Sequence, residues 1–356
     1  MKILIVKTSA IGDVIQTFDI LPYLKQKYSD LKIDWLAEAN VASLVENHPL
    51  VDEVKRIETK KWRTSLFSFK TLKEIYRCLS DLRRVRYDYL IDLQGNTKSA
   101  LFTFFAQAKN KIGFDKTHVA EILNLLVTNK KINISHVYSK QFYLNALLNL
   151  YEDPSYVKMG SVSFRLSLHE HKELQFWQKN YFLKDHFIVF FGSAWENKKL
   201  SLDTLKNFLK NILAKDLGSL IIVWGSGEEK PIAESIQTYL GPKATILGGY
   251  SLSFLQNIMK EVKGVIGIDS ALLHLCGTTK TPSFSIFGPS SADFYKPIGE
   301  EHIAFQGACP YDQHFYKRCP LLRTCVSGNC IKSISAEKLT EVFLSEFYPI
   351  IKKKQS

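Results

Sequence analysis

No run of apolar residues in this 356-residue chain approaches the roughly 18 that a membrane-spanning helix needs, and the longest runs, such as 187–191 and 220–224, are strand length. A soluble protein is expected. The amino-terminal run is just as short: Lys7 interrupts it before a secretory h-region would be complete, so export is not expected. Acidic side chains are in deficit, 35 against 47 Lys and Arg, for a formal charge of +12. That balance favours anionic partners such as nucleotide phosphates, acidic lipid head groups or nucleic acid. Aromatic and basic residues are not interleaved on a recognisable RNA- or DNA-binding module, which weighs against nucleic acid. Fixed-period repeats and low-complexity tracts are absent too. So is any Cys-x-x-Cys pair: Cys309, Cys319, Cys325 and Cys330 are separated by nine, five and four residues, which departs from the usual zinc spacings. Reduced structural thiols are the first reading of this cluster, with bound metal and a disulfide as alternatives. Cys78 and Cys276, in apolar helix-like surroundings, fit a reducing compartment.

What is present is enough apolar material, 46% of the residues, for two domains with their own cores. Short apolar runs alternate with helical-period segments, the pattern of a parallel sheet. Strands are predicted over 2–6, 33–36, 54–57 and 89–93, with helices over 14–27, 41–47, 71–84, 98–106 and 139–150. The stretch 151–168, with Pro154 and Gly160, reads as a connection. Alternation then restarts, with strands over 187–191, 220–224, 245–247, 264–268 and 283–287. In the helix over 201–214, Ser201 can cap the start while Leu202, Leu205, Phe208, Leu209, Ile212 and Leu213 share a face. Two Rossmann-like parallel-sheet domains facing across a cleft is the economical α/β reading.

Four loops fall where open sheets bind ligands, at the carboxyl ends of strands. The first is Lys7-Thr8-Ser9-Ala10-Ile11-Gly12-Asp13. Gly12 allows close backbone approach, and Asp13 sits at or beside a helix N-cap, where free N–H groups favour its carboxylate. It can act as a cap, as a general base toward a hydroxyl, or as both. The second, Gly192-Ser193-Ala194-Trp195-Glu196-Asn197-Lys198-Lys199, mixes hydroxyl, backbone and ammonium donors of the kind phosphates need. The third, Gly225-Ser226-Gly227-Glu228-Glu229, lacks the full dinucleotide fingerprint. In the fourth, a strand delivers Asp269 and Ser270 to a helix start, with Ala271 next and His274 one turn in; Thr281-Pro282 through Pro289-Ser290 follows.

The opening Met1–Val14 stretch resembles that of the ADP-heptose:lipopolysaccharide heptosyltransferases of glycosyltransferase family 9, as do the loop around Lys198 and the Asp269-x4-His274 spacing. The resemblance runs in order from Lys2 to Pro289. It implies a GT-B-type fold, with an acceptor-binding domain over 1–165, a nucleotide-sugar domain over 166–335, and a C-terminal helix, 336–356, packing back toward the first domain. It further implies an inverting transfer with Asp13 as base. Donor contacts would come from Ser193, Ala194, Lys198, Asp269, Ser270, Ala271 and His274, with Glu228 or Glu229 on the ribose. The family usually has glycine where this chain has Ala271. Within the family, 32–38, Lys60-Lys61-Trp62-Arg63 and 87–95 resemble the first heptosyltransferase type. On that basis Lys60, Lys61 and Arg63, with Thr8, Ser9, Gly12 and Gln94, are acceptor-binding candidates for the acidic lipid Kdo-lipid A. A basic position expected further on appears as Ala120, so Lys116 or His118 is a substitute. The resemblance implies no required cofactor beyond the ADP-heptose donor, and a monomer on the cytoplasmic face of the inner membrane. A later heptosyltransferase with a heptose acceptor, and a non-catalytic nucleotide-sugar-binding protein, remain as alternatives.

Overall fold

The computed structural model describes residues 1–132 and 162–355. The helix expected over 139–150 and most of the connection over 151–168 lie outside the described residues. Those described divide into two compact units, one ending at Arg165 and one beginning at Leu166. No helix among them is long and apolar enough to cross a membrane.

In the first unit six parallel strands, β1 (Lys2–Val6), β2 (Lys32–Glu38), β3 (Glu53–Ile57), β4 (Arg86–Asp92), β5 (Gln107–Phe114) and β6 (Lys130–Ile132), are ordered β3-β2-β1-β4-β5-β6. β1 lies centrally, and its Ile3, Leu4, Ile5 and Val6 are covered on both faces, which is why it reads as an unbroken apolar run. One face of the sheet packs Leu4, Val6 and Leu36 against Trp62, Leu82 and Phe102 from the flanking helices. The single helix predicted over 14–27 is two, Ile11–Thr17 and Ile20–Lys27, because the chain turns at Phe18-Asp19. β5 and β6 were not anticipated. β5 begins with exposed or half-buried polar residues and buries only its last three, where it pairs with β6.

The second unit repeats the topology with β7 (His186–Phe190), β8 (Ser219–Trp224), β9 (Ala244–Gly248), β10 (Gly264–Ile268), β11 (Ser283–Phe287) and β12 (His302–Gln306), ordered β12-β11-β10-β7-β8-β9. In each sheet the first and fourth strands are neighbours, and successive connections leave this pair in opposite directions. That opens a crevice at the carboxyl ends of β1 and β4 in one unit, and of β7 and β10 in the other. Ser201 caps the Leu202–Ala214 helix as expected, accepting from the Thr204 N–H at 3.1 Å. Leu205, Phe208, Leu209 and Ile212 are buried, whereas Leu202 in the first turn stays 38% exposed.

The C-terminal segment was expected to return toward the first domain. Its buried stripe, Phe343, Phe347 and Ile351, packs into the second unit's core. The rings of Phe343 and Phe284 lie 5.3 Å apart, and Phe343 also meets Phe187 and Phe208 edge-on. The four-residue spacing of the stripe marks a buried helix face without naming the surface that buries it.

Candidate active site

The turn leaving β1 is held from several sides. The Trp35 Nε1–H donates to the Lys7 carbonyl (2.9 Å), and Gln94 Oε1 accepts from the Thr8 N–H (3.0 Å), the Thr8 hydroxyl (3.2 Å) and the Ser9 N–H (3.1 Å). Gln94 therefore shapes the loop that carries Thr8 and Ser9, and its Nε2 has no partner among the described residues. Behind it Asp92, fully buried, accepts from the Gln94 and Gly95 N–H groups, the Thr103 hydroxyl (2.9 Å) and Asn124 Nδ2 (2.7 Å). Asp92 belongs to the scaffold.

Asp13 is the third residue of the Ile11–Thr17 helix, beside Gly12, and not its N-cap, which is Ala10. Its Oδ2 accepts from the Ala10 N–H (3.3 Å) and lies 3.6 Å from Lys7 Nζ, while Oδ1 has no partner among the described residues. The Asp13 side chain is 34% exposed and that of Lys7 only 3%. Burial lowers the Lys7 pKa from the usual lysine value, against the raising effect of Asp13 and of Asp92. Lys7 was missed as a site residue; the available signal was a lysine ending a buried apolar strand one turn before an aspartate.

Of the expected basic acceptor residues, Lys60, Lys61 and Arg63 all lie exposed on the Thr59–Thr64 helix, between β3 and β4 in the chain. Lys61 is engaged with Glu58 (2.9 Å) and Glu74 (3.3 Å), whereas Lys60 and Arg63 have no ion pair among the described residues. Lys116 is exposed, and the His118 ring lies 3.0 Å from Asp115. Ala120 is exposed nearby.

At the second crevice the structure joins two candidates separated by 71 residues: Lys198, from the loop after β7, forms an ion pair with Asp269 at the end of β10. Both are buried, with side chains 11% and 8% exposed. The Ser290 hydroxyl, from the loop after β11, donates to the same Asp269 oxygen. Burial by itself would raise the Asp269 pKa, but the charges of Lys198 and His274 and the Lys198 and Ser290 hydrogen bonds outweigh it and lower the value. Ser270 precedes the Ala271–Gly277 helix, and its buried Oγ has no hydrogen-bond partner among the described residues. His274 is half-buried, 6.5 Å from the Tyr295 ring. A polar cluster with an unpartnered hydroxyl suits an anion or a sugar hydroxyl. Ser193 is half-buried and donates nothing among the described contacts; its Oγ accepts from the Trp195 N–H (3.3 Å), with Ala194 exposed beside it.

The structure separates the two acidic candidates after β8. Glu229 Oε2 accepts from the Gly225 N–H (2.7 Å), and its carboxylate lies over Gly192, where a Cβ would meet Oε1 at 1.8 Å. Glu229 thus links two of the predicted loops. Glu228 is exposed.

The cysteine segment backs this crevice. The Asn197 side chain, from the Lys198 loop, donates to the Leu322 carbonyl (2.6 Å) and the Cys325 carbonyl (3.3 Å), and the Cys319 N–H donates to the Pro289 carbonyl (2.8 Å). All four thiols, Cys309, Cys319, Cys325 and Cys330, are free. Among the described residues no group of three or more His, Cys, Asp or Glu is placed to hold a metal ion. Burial pushes the Cys330 thiol up to about 11, with further raising by the other three cysteines. The Gly328 N–H lowers the Cys325 pKa, with the Ser327 hydroxyl assisting.

The family model of glycosyltransferase family 9 (heptosyltransferase) matches residues 75–324. Lipopolysaccharide heptosyltransferase 1 of Campylobacter coli is 29% identical over 312 residues, covering 83% of this chain and 87% of that protein. Lipopolysaccharide heptosyltransferase 3 of Escherichia coli K12 is 25% identical over 321 residues, covering 83% and 84%. Among solved structures, the E. coli heptosyltransferase WaaC with ADP superposes with a TM-score of 0.77 at 21% identity, over 97% of this chain and all of that one. The two six-stranded parallel sheets are those of the GT-B-type heptosyltransferase fold.

Proposed function

The chain belongs to glycosyltransferase family 9, and we propose that it transfers L-glycero-D-manno-heptose from ADP-heptose to a Kdo residue of Kdo-lipid A. It is a heptosyltransferase of the lipopolysaccharide core. What supports the Kdo acceptor is the 29% identity to one first-type relative against 25% to a third-type one, together with the exposed Lys60 and Arg63, which have no ion pair among the described residues and suit an acidic lipid.

In the proposed step an acceptor hydroxyl attacks the anomeric carbon of the heptose. A new carbon–oxygen bond forms on the face opposite the departing phosphate, the anomeric configuration inverts, and the bond to the β-phosphate oxygen breaks with its electron pair leaving on ADP. The attacking hydroxyl's proton passes to Asp13. Lys198 and the Ser270 hydroxyl take up the charge of the departing diphosphate, and Glu229 or Glu228 holds the ribose. The observation that carries this reading is Asp13 itself. One carboxylate oxygen is anchored by Ala10 and Lys7, while the other has no hydrogen-bond partner among the described residues, and the side chain is 34% exposed. Action as a monomer, peripherally on the cytoplasmic face of the inner membrane, is part of the proposal.

The similarity to a third-type relative favours a second reading, a heptose acceptor. Purified protein with ADP-heptose, given Kdo-lipid A or its heptosylated form, separates the two, with products identified by mass spectrometry and the new linkage's configuration by NMR. The proposal predicts one added heptose on Kdo-lipid A alone. Turnover only on the heptosylated acceptor would move the chain to the later class, and donor binding without ADP release on any acceptor would make it a non-catalytic binder.

A further inference from the structure

Between Thr59 and Arg84 the chain has eight Lys and Arg against two Asp and Glu, a net +6 of the whole chain's +12. The two acids are engaged locally: Glu74 accepts from Trp62 Nε1 (3.1 Å) and pairs with Lys61, and Asp81 lies 3.3 Å from Arg84. Lys70, Lys73 and Arg77 are exposed and have no ion pair among the described residues. The same stretch leaves large apolar side chains in solvent: Phe67 is 97% exposed, Phe69 81%, Tyr76 73% and Leu72 52%. On the Phe69–Arg84 helix, positions 69, 72 and 76 form one stripe, flanked by Lys73 and Arg77. The helix buries Thr71 and Leu82, with Ile75, Cys78 and Leu79 half-buried, against its own unit, so the stripe is a surface left over after folding.

Topology places this surface. The chain leaves the carboxyl end of β3 into Thr59–Thr64, where the Thr59 N–H donates to Glu38 at the carboxyl end of β2 (3.1 Å). The long helix then runs back toward the start of β4. Phe67 and Phe69 therefore stand at the rim of the sheet edge that carries Asp13, and Arg83 and Arg84 lie at the far end of the helix.

We infer that this face docks on an anionic bilayer, with the Phe67, Phe69, Leu72 and Tyr76 side chains entering the headgroup boundary and Lys70, Lys73 and Arg77 meeting the lipid phosphates. Apolar tips ringed by exposed cations in excess over acids match the two layers of such a surface, an apolar interior beneath a negative plane. A protein partner would have to bring both an apolar patch and a ring of acids. The inference rests on the proposed lipid acceptor for its purpose, bringing a membrane-embedded acceptor to the Asp13 edge. Its test needs no turnover, so the two readings fail separately.

The full chain is sedimented with vesicles of phosphatidylcholine alone or mixed with phosphatidylglycerol. It is expected to bind the mixed vesicles and not the zwitterionic ones, with binding weakened by salt. A Phe67→Ser/Phe69→Ser double variant and a Lys70→Glu/Lys73→Glu double variant should each lose about tenfold or more in vesicle affinity. Both should retain the parental unfolding midpoint and the parental affinity for ADP. The inference is overturned by a parent that ignores anionic vesicles, or by variants that bind as the parent does. It is also overturned if the parent is a dimer that the Phe67→Ser/Phe69→Ser change splits while vesicle binding stays the same.

Discussion

Replacing Asp269 with Asn removes the negative charge opposite Lys198 while keeping the side chain's shape. Whether this costs little or much depends on solvent screening. An exposed ion pair contributes about 0–1 kcal/mol, whereas breaking a buried one by removing one partner costs about 3–5 kcal/mol, because the other charge stays buried and uncompensated. With side chains 11% and 8% exposed, Lys198 and Asp269 fall in the second class. Urea unfolding of Asp269→Asn should therefore show a lower midpoint at unchanged slope, a loss of about 3 kcal/mol or more. ADP then separates structure from function. If Lys198 holds the diphosphate, ADP at about 100 times its dissociation constant stabilises the parent by about 2.7 kcal/mol. Lys198→Met should lose most of that gain, and Asp269→Asn, which leaves the ammonium in place, should keep it. An Asp269→Asn protein within about 1 kcal/mol of the parent would refute the buried-pair argument. Undiminished stabilisation of Lys198→Met by ADP would make the lysine structural only.

Three further outcomes follow from individual residues. His48 is buried against Phe18 and Phe164, and desolvation, with the Arg165 charge, lowers its pKa to about 3. The folded state therefore binds fewer protons than the unfolded state between pH 3 and 6.5, so stability falls as pH drops through that window. The loss should be about 2 kcal/mol at pH 5 relative to pH 7, and His48→Gln should flatten this part of the urea-midpoint profile. Lys7→Met should leave the unfolding midpoint near the parental value, since a buried ammonium is costly to desolvate, yet lower kcat about tenfold or more by removing Asp13's charged neighbour. Ser201→Ala should cost about 1 kcal/mol in the second unit through loss of the cap on Thr204, with ADP affinity unchanged in a fluorescence titration.

Central strands were legible because parallel strands covered on both faces read as near-continuous apolar runs, as in β1 after Lys2, β7 after His186 and β10. Their carboxyl ends then located the candidate loops without tertiary information. β6 is three residues long, and β5 and β12 put polar or half-exposed residues where an apolar run would announce a strand. Periodicity had no purchase on them. The turn at Phe18-Asp19 was hidden because apolar residues continue through it. Pairings across the fold were hidden for a different reason: Lys198 with Asp269 and Ser290, and Gln94 with Thr8 and Ser9, join loops that only strand order makes neighbours. The stripe of Phe343, Phe347 and Ile351 likewise said that one helix face is buried while leaving its partner sheet open.

The account turns on Asp13 accepting the acceptor's proton. Release of ADP from ADP-heptose in the presence of Kdo-lipid A, compared between the parent and Asp13→Asn at matched ADP affinity, tests this most directly. Turnover by Asp13→Asn is predicted to fall about 10²–10⁴-fold with donor binding intact; near-parental turnover would contradict the assignment.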